Sequence, residues 1–381
     1  MIEIDGAYGE GGGALVRTAL ALSTLTGKEF KVVNIRAGRP KAGLKAQHLT
    51  AIEALRVMSG AHSNKTELGT TELYFKPGRV KRGRYEFDIG TAGSISLFLQ
   101  ALLIPCIFAK GKVTIVVKGG TCGKWQAGVD YIQNVLLPYL NRFVDKISIK
   151  ILKRGYYPKG GGEVEVKISS RFFNEDVGGL LEELALKCPK IELVEQGEIE
   201  QVRGVVNCSM ELQESEVCER IENACRRTLK VDCPINIMSQ YANSRCSGGE
   251  VLLWGIFGKR GVVDYDNPVI IASSVLLEKG KRSEQIGIEC AKSLIEEIDS
   301  GAACDEYLAD QLIAFMSLLP GSVIKASKVS KHCLTNIYVC EKFLPVGFKV
   351  KGNKIESVFS DWKMRIKWRF KFKSLIILLF W

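Results

Sequence analysis

Histidine is nearly missing: His48, His62 and His332 are the only three in 381 residues. Cysteine is not scarce, but its twelve copies are scattered singly with no C-x-x-C pair, so neither a zinc site nor a disulfide framework is signalled. The Gly-Lys-Ser/Thr ending of a P-loop is absent, and Rossmann glycine spacing fails as well. No secretory signal is read at the start, where Met1-Ile2-Glu3-Ile4-Asp5 enters a strand directly. A reducing, cytoplasmic interior is the expectation. The apolar run Leu375 to Trp381 is too short to span a bilayer, and no membrane partner is expected.

What is present is ordinary in bulk and unusual in placement. A hydrophobic content of 46% with 25% charged residues is typical of a globular protein able to bury a core. The length allows two domains, or one large core with an insertion. A net charge of +11 favours anionic partners without telling nucleic acid from nucleotide.

A short strand around Ile2 and Ile4 breaks into the loop Gly6 to Gly13 and then a helix, Ala14 to Thr26. Strand, glycine loop and helix together let backbone N–H groups approach a phosphate. Glu10 inside the loop could hold a hard divalent cation. Arg17, among Leu15, Val16, Ala19 and Leu20, needs an anionic partner, either a ligand phosphate or an internal carboxylate. The next strand, Phe30 to Ile35, ends in Arg36 and Arg39 around a glycine turn. Such a pair forms a phosphate clamp or a solvated basic turn. His48 shares a stripe with Leu44, Ile52 and Leu55 and reads as a core histidine. Gln47 flanks that stripe, free to face a site, and His62 reads as an exposed, idle turn residue. Gln100 sits on the apolar helix after Gly90-Thr91-Ala92-Gly93-Ser94, where its amide must find partners. Tyr131 lies on an expected helix from Val129 to Leu140.

The order strand, helix, strand, helix, strand, strand occurs over 1–76 and again over 84–169, with no close sequence repeat. Composition changes near residue 171, and seven of the twelve cysteines lie between 188 and 290, as in a separate α+β module. On the helix Asp305 to Met316, the spacing puts Tyr307, Asp310 and Gln311 on one face. That face is either a plain polar surface or a nucleotide or metal face. Ser322 to Ala326 then reads as a strand leading to Ser330-Lys331-His332-Cys333-Leu334-Thr335-Asn336-Ile337 at a helix start. A helix N-terminus suits phosphate and disfavours imidazolium, and a neutral imidazole beside a phosphate is a usable nucleophile. The alternative is a histidine that caps or packs. Strands at 347–350 and 355–359 complete a third unit, provided an initial strand lies ahead of the helix at Asp305. Beyond Ser360, aromatic and apolar residues from Trp362 to Phe372 alternate with Lys and Arg at strand period. This end reads as a nucleic-acid or membrane-surface tail, or as an out-of-frame segment, and it is assigned no function.

Taken together, six motifs resemble the RNA 3′-terminal phosphate cyclase family. They are Gly9-Glu10-Gly11-Gly12-Gly13; Ile35-Arg36-Ala37-Gly38-Arg39 with Gln47-His48; Thr91-Ala92-Gly93-Ser94; Arg154 to Gly162; Glu306 to Gln311; and His332 to Ile337. The resemblance spans about residues 1–360. It implies an α/β (α+β) fold: a large catalytic domain of three βαβαββ repeats, 1–180 plus 303–360, with a small α+β insert domain, 181–302, in the third repeat. It implies an RNA-processing ligase that uses ATP and a divalent cation, Mg²⁺ or Mn²⁺. An RNA 3′-phosphate end would become a 2′,3′-cyclic phosphodiester through a histidinyl-AMP and an RNA-3′-pp-5′-A intermediate, releasing AMP and pyrophosphate. By motif, His332 is the nucleophile and Glu10 the metal ligand. Arg17, Arg36, Arg39, Gln47, Gln100, Tyr131, Tyr307, Asp310 and Gln311 bind ATP and phosphate. The chain departs from the family pattern where Cys122 replaces an acid and Ala127-Gly128 a proline pair, beside the adenine-holding segment. The rival readings are an inactive cyclase-like ribosome-assembly protein, which lacks the histidine, and an enolpyruvyl transferase, which gives no reason for a lone histidine there.

Overall fold

The computed structural model describes residues 1–124 and 126–360; the basic, aromatic segment 361–381 lies outside them. The described chain forms a mixed α/β structure with four four-stranded sheets. In the first, Ile2–Asp5, Phe30–Val33, Leu73–Lys76 and His62–Ser63 are neighbours in that order. The first pair is parallel and the other two are antiparallel. Gly83–Asp88, Lys112–Gly119, Gly162–Ser170 and Val144–Lys153 repeat both the order and the senses. So do Glu192–Leu193, Val323–Lys325, Lys354–Phe359 and Val346–Lys351. The fourth sheet differs: Glu198–Ser209 lies between parallel Ile235–Ala242 and antiparallel Gly249–Gly258, with Val269–Leu276 at the edge.

Local sequence explains most element bounds. The helix Ala14–Thr26 is apolar on nearly every face and is correspondingly buried on nearly every face. It ends at Gly27, whose φ of 71° provides the left-handed cap. It packs between the helices Ile95–Ile107 and Lys331–Phe343, and the latter also packs against Glu306–Met316. These helices come from sequence-distant segments, and residues of all four line one cleft.

Two expected elements shift, and one expected boundary meets a feature of the fold. The strand from Phe30 stops at Val33, because Asn34 and Arg36 turn into the left-handed region at φ 54° and 58°. The helix from Val129 is not regular. Asn134 donates its side-chain amide to the Asp130 carbonyl, and Pro138 supplies no N–H, so a π-helical stretch, Ile132–Leu136, joins two short α segments. Finally, the expected start of the small module at residue 181 falls inside a helix, Val177–Lys187. Its buried Leu180, Leu181 and Leu184 belong to the larger hydrophobic cluster, and Glu192–Leu193 pairs with Val323–Ile324. A second cluster contains Val202, Ile221, Leu253 and Leu294. His62 opens a two-residue strand opposite Lys76 and is exposed.

Candidate active site

The site forms where the loop before Ala14, the loop before Ala46 and the start of the helix Lys331–Phe343 meet. Ser330 caps that helix, its hydroxyl accepting from the Cys333 N–H at 3.0 Å. His332 therefore does not cap; it is the second helical residue, half-exposed, with Nδ1 3.1 Å from Glu10 Oε1. The other Glu10 oxygen accepts from Arg39 Nη2 at 2.5 Å. An Nδ1 proton held toward Glu10 leaves Nε2 as the free lone pair, a tautomer assigned from this contact. Glu10 also reverses the expected helix-end effect: its hydrogen bond and charge raise the His332 pKa above the ordinary value, although burial opposes them. Burial acts to raise the Glu10 pKa in turn, but the His332 hydrogen bond and the charges of His332, Arg39 and Arg17 leave it lowered.

Two glycines make this approach possible. A Cβ on Gly9, at φ 67°, would sit 2.4 Å from Thr335 Oγ1, and one on Gly13 would sit 2.4 Å from His48 Nε2. Side-chain hydrogen bonds complete the frame. Thr335 donates to the Lys331 carbonyl, and Asn336 accepts from the Thr18 hydroxyl at 2.8 Å while donating to the Asp310 carbonyl at 2.8 Å. Thr18 and Asn336 thus tie three helices together around His332. Sequence reading gave neither a role, because a polar residue on an apolar helix shows no partner until the helices are packed.

A cleft opens beside His332, lined by Arg17, Gln100, Gln126, Tyr307, Asp310 and Gln311 among others. Arg17 is buried and donates to Gln100 Oε1 at 2.9 Å, so its direct partner is an amide rather than a carboxylate. Glu10 and Asp310 supply opposing charge at longer range, yet burial pulls the Arg17 pKa down to about 10. Burial likewise lifts Asp310 to about 7, against the pull of His332 and Arg17. Gln311 Oε1 and Arg36 Nε are buried without partners. Burial and the neighbouring Arg39 lower the Arg36 pKa. Gln47 is half-buried in the first turn of Ala46–Ser59 and does not line the cleft.

His48 and Tyr131 differ from their expected settings. His48 is buried, as a core residue would be, but it faces Gly13 and Arg17 with Nε2 unpartnered. Burial and the cations Arg17, Arg36 and Lys45 hold it neutral. Tyr131 is 1% exposed and lies beneath the cleft rather than in its wall. Its hydroxyl donates to Asp305 at 2.5 Å, and its ring meets Tyr307 edge-on at 6.2 Å. In this conformation it positions Tyr307 and has no face free for a base. Glu250 was missed altogether. It reaches from the fourth sheet to the 128–130 segment, buried beside the ion pair of Asp130 and Arg154, where burial and Asp130 raise its pKa to about 8. No local pattern points to it.

Among the described residues, no three His, Cys, Asp or Glu side chains are grouped as a metal cage, and no helix is long and apolar enough to cross a membrane. The site sets a half-exposed imidazole against a carboxylate, with Arg39 on that carboxylate and Arg17 in the adjoining cleft, a charge arrangement suited to phosphate esters. A family model described as RNA 3′-terminal phosphate cyclase matches residues 8–350. The chain is 38% identical to the RNA 3′-terminal phosphate cyclase of Methanopyrus kandleri, over 93% of this chain and 97% of that one. It is 39% identical to that of Archaeoglobus fulgidus, over 93% and 99%, and 39% identical to that of Methanosarcina mazei, over 92% and 97%. The chain belongs to the RNA 3′-terminal phosphate cyclase family.

Proposed function

We propose that this protein uses ATP to convert an RNA 3′-terminal phosphate into a 2′,3′-cyclic phosphodiester, with AMP carried covalently on His332. The observation that carries the proposal is the His332–Glu10 pairing beside the cleft that Arg17 lines: Nδ1 is 3.1 Å from Glu10 Oε1, which leaves Nε2 free. In the first step Nε2 forms a bond to the α-phosphorus, and the bond from that phosphorus to the bridging oxygen breaks. Pyrophosphate leaves with the electron pair, while Glu10 stabilises the ring's remaining N–H. Arg17, Arg36 and Arg39 neutralise the charge that develops on the phosphate oxygens. An oxygen of the RNA 3′-phosphate then attacks the same phosphorus and breaks the P–N bond, giving RNA-3′-pp-5′-A and regenerating the imidazole. The ribose 2′-hydroxyl finally attacks the terminal RNA phosphorus, its proton goes to solvent, and AMP leaves.

Glu10 is the residue of this site that would hold Mg²⁺ or Mn²⁺. One carboxylate fits, because Mg²⁺ commonly takes one or two carboxylates and completes its shell with substrate phosphates and water. Glu10 Oε2 is taken by Arg39, whereas buried Oε1 meets only the long 3.1 Å contact from His332 Nδ1, so Oε1 is the oxygen an ion would share with the imidazole N–H. When bound, the ion supplies further charge neutralisation on the phosphates. The cleft offers about 80 Å³, below the ~300 Å³ at which small-molecule sites usually begin, so a nucleotide must part the side chains lining it. Gln311, with its unpartnered Oε1, and Tyr307 face the entering nucleotide; Gln47 contributes only if that opening exposes it. We propose further that the three recurrent sheets belong to three βαβαββ units of one catalytic domain. The fourth sheet and its helices would then be an insertion after Leu193.

Incubation with α-³²P-ATP and Mg²⁺ or Mn²⁺, without RNA, is expected to label the protein. The label should be acid-labile and alkali-stable, as a phosphoramidate is, and absent from His332→Ala. Label persisting in that variant would overturn the assignment. No labelling of the wild type, and no use of ATP with a 3′-phosphorylated RNA, would favour the inactive ribosome-assembly reading.

A further inference from the structure

The nucleotide cleft lies on one side of His332; on the other side the surface is aromatic and basic. Tyr8, in the glycine loop two residues before Glu10, stacks on Tyr338 of the His332 helix with ring centroids 3.9 Å apart and planes 17° apart. Lys342 Nζ lies 4.9 Å from the Tyr338 centroid. Tyr338 is thus half-buried with the Tyr8 ring and the Lys342 ammonium against it, while Tyr8 is 44% exposed. Lys331, Tyr338 and Lys342 stand at i, i+7 and i+11, on one face of the helix. Both lysines are exposed, and they bracket about 16 Å of helix at 1.5 Å per residue. The glycine loop also abuts the arginine turn, where a Cβ on Gly11 would lie 3.5 Å from the Gly38 nitrogen. That turn gathers Arg36, Arg39, Lys41 and Lys45, whose charges press on one another with Glu10 as the nearby acid. Nothing in the ATP chemistry requires an exposed ring at this point.

We propose that Tyr8, backed by Tyr338, is the stacking platform for the 3′-terminal base of the RNA, and that Lys331 and Lys342 hold the backbone of the strand leading away from it. A terminal phosphate placed at His332 leaves its own nucleoside outside the cleft, next to the loop that carries Tyr8. Aromatic faces accept any base, because every base has a π-face, and lysines contact phosphates without reading sequence. The platform therefore recognises a single-stranded end as such and not a particular sequence. This inference rests on the reading of the protein as an enzyme of RNA 3′ ends.

The test uses the full-length protein without ATP and two 3′-phosphorylated oligoribonucleotides, one ending in 2-aminopurine and one in an abasic ribose. Wild type and Tyr8→Phe are expected to bind the base-bearing end on the order of tenfold more tightly, with quenching of 2-aminopurine fluorescence. Tyr8→Ala should lose both the preference and the quenching. Equal affinity of the wild type for the two ends overturns the platform. So does a preference that survives in Tyr8→Ala, or one that is lost in Tyr8→Phe. Because binding is read without ATP, failure here is separate from failure of His332 labelling, which is read without RNA.

Discussion

Two strand–loop–helix junctions occupy corresponding places in the first two sheets and have opposite finishes. At the second, Ser94 accepts from the Leu97 N–H at 3.0 Å, and the Ile95 N–H donates to the Gly120 carbonyl at 3.1 Å. The loop Tyr156–Gly160 closes over it, so near that a Cβ on Gly160 would fall 2.5 Å from the Thr91 carbonyl oxygen. At the first, the cap position is Gly13, which has no side chain to offer, and the helix carries the buried Arg17 one turn in. The second N-terminus is satisfied by protein and is structural. The first has no side-chain cap, and under the proposed function it is the one left for a ligand phosphate, its positive end adding to Arg17 and Arg39. The same topology gives a capped helix start in one unit and an uncapped one beside the cleft in the other, although Gln100 of the capped helix also reaches the cleft.

The largest effect that should follow from this contrast is at Arg17. Arg17→Gln is expected to reduce labelling by α-³²P-ATP by ~100-fold or more, the scale of losing one preorganised charge in a phosphoryl-transfer site. Labelling within a few-fold of wild type would erase the distinction between the junctions.

A smaller effect should appear in the pH dependence. The nucleophile must be neutral, and Glu10 raises the His332 pKa above 6.5, so the labelling rate should climb with pH through a midpoint above that value. Glu10→Gln should move the midpoint down. The stability this pairing contributes is fully present below the unfolded value of 6.5 and is lost as pH rises through the raised folded value. Thermal melts and labelling rates across that range check both signs, and an unmoved midpoint in Glu10→Gln would remove Glu10 from control of the imidazole. The smallest effect belongs to the second junction. Ser94→Ala should cost about 1 kcal/mol of stability, as loss of a helix cap does, with labelling per folded molecule within twofold of wild type. A larger effect on labelling than on the denaturation midpoint would mean that this junction also serves the chemistry.

The contrast also shows why parts of the protein were legible in sequence and parts were not. The helix Ala14–Thr26, its glycine loop and the Ser330 cap are local devices, and short-range rules describe them. The strand end at Val33 and the π-helical stretch after Tyr131 were misjudged because left-handed backbone at Asn34 and a side-chain bond from Asn134 to Asp130 override apolar pattern. Composition changes near residue 171, yet the buried leucines of Val177–Lys187 belong to the larger hydrophobic cluster, a packing relation that composition does not carry. His48 was assigned to the core by its stripe; its burial agrees, but only packing shows that its free nitrogen faces Gly13 and Arg17.

By itself, the sequence determined the candidate chemistry: a lone histidine at a helix start, a carboxylate in a glycine loop, and arginines where strands end. Those are properties of residues and their near neighbours, and six motifs in order were enough to identify the family. Only the tertiary structure decided which charges meet. It brought Glu10 to His332 across 322 residues of chain, set Arg17 on Gln100, placed Tyr131 beneath Tyr307 and laid Tyr8 on Tyr338. Burial and the distance between groups set pKa values and open ring faces, and both depend on how helices from sequence-distant segments pack.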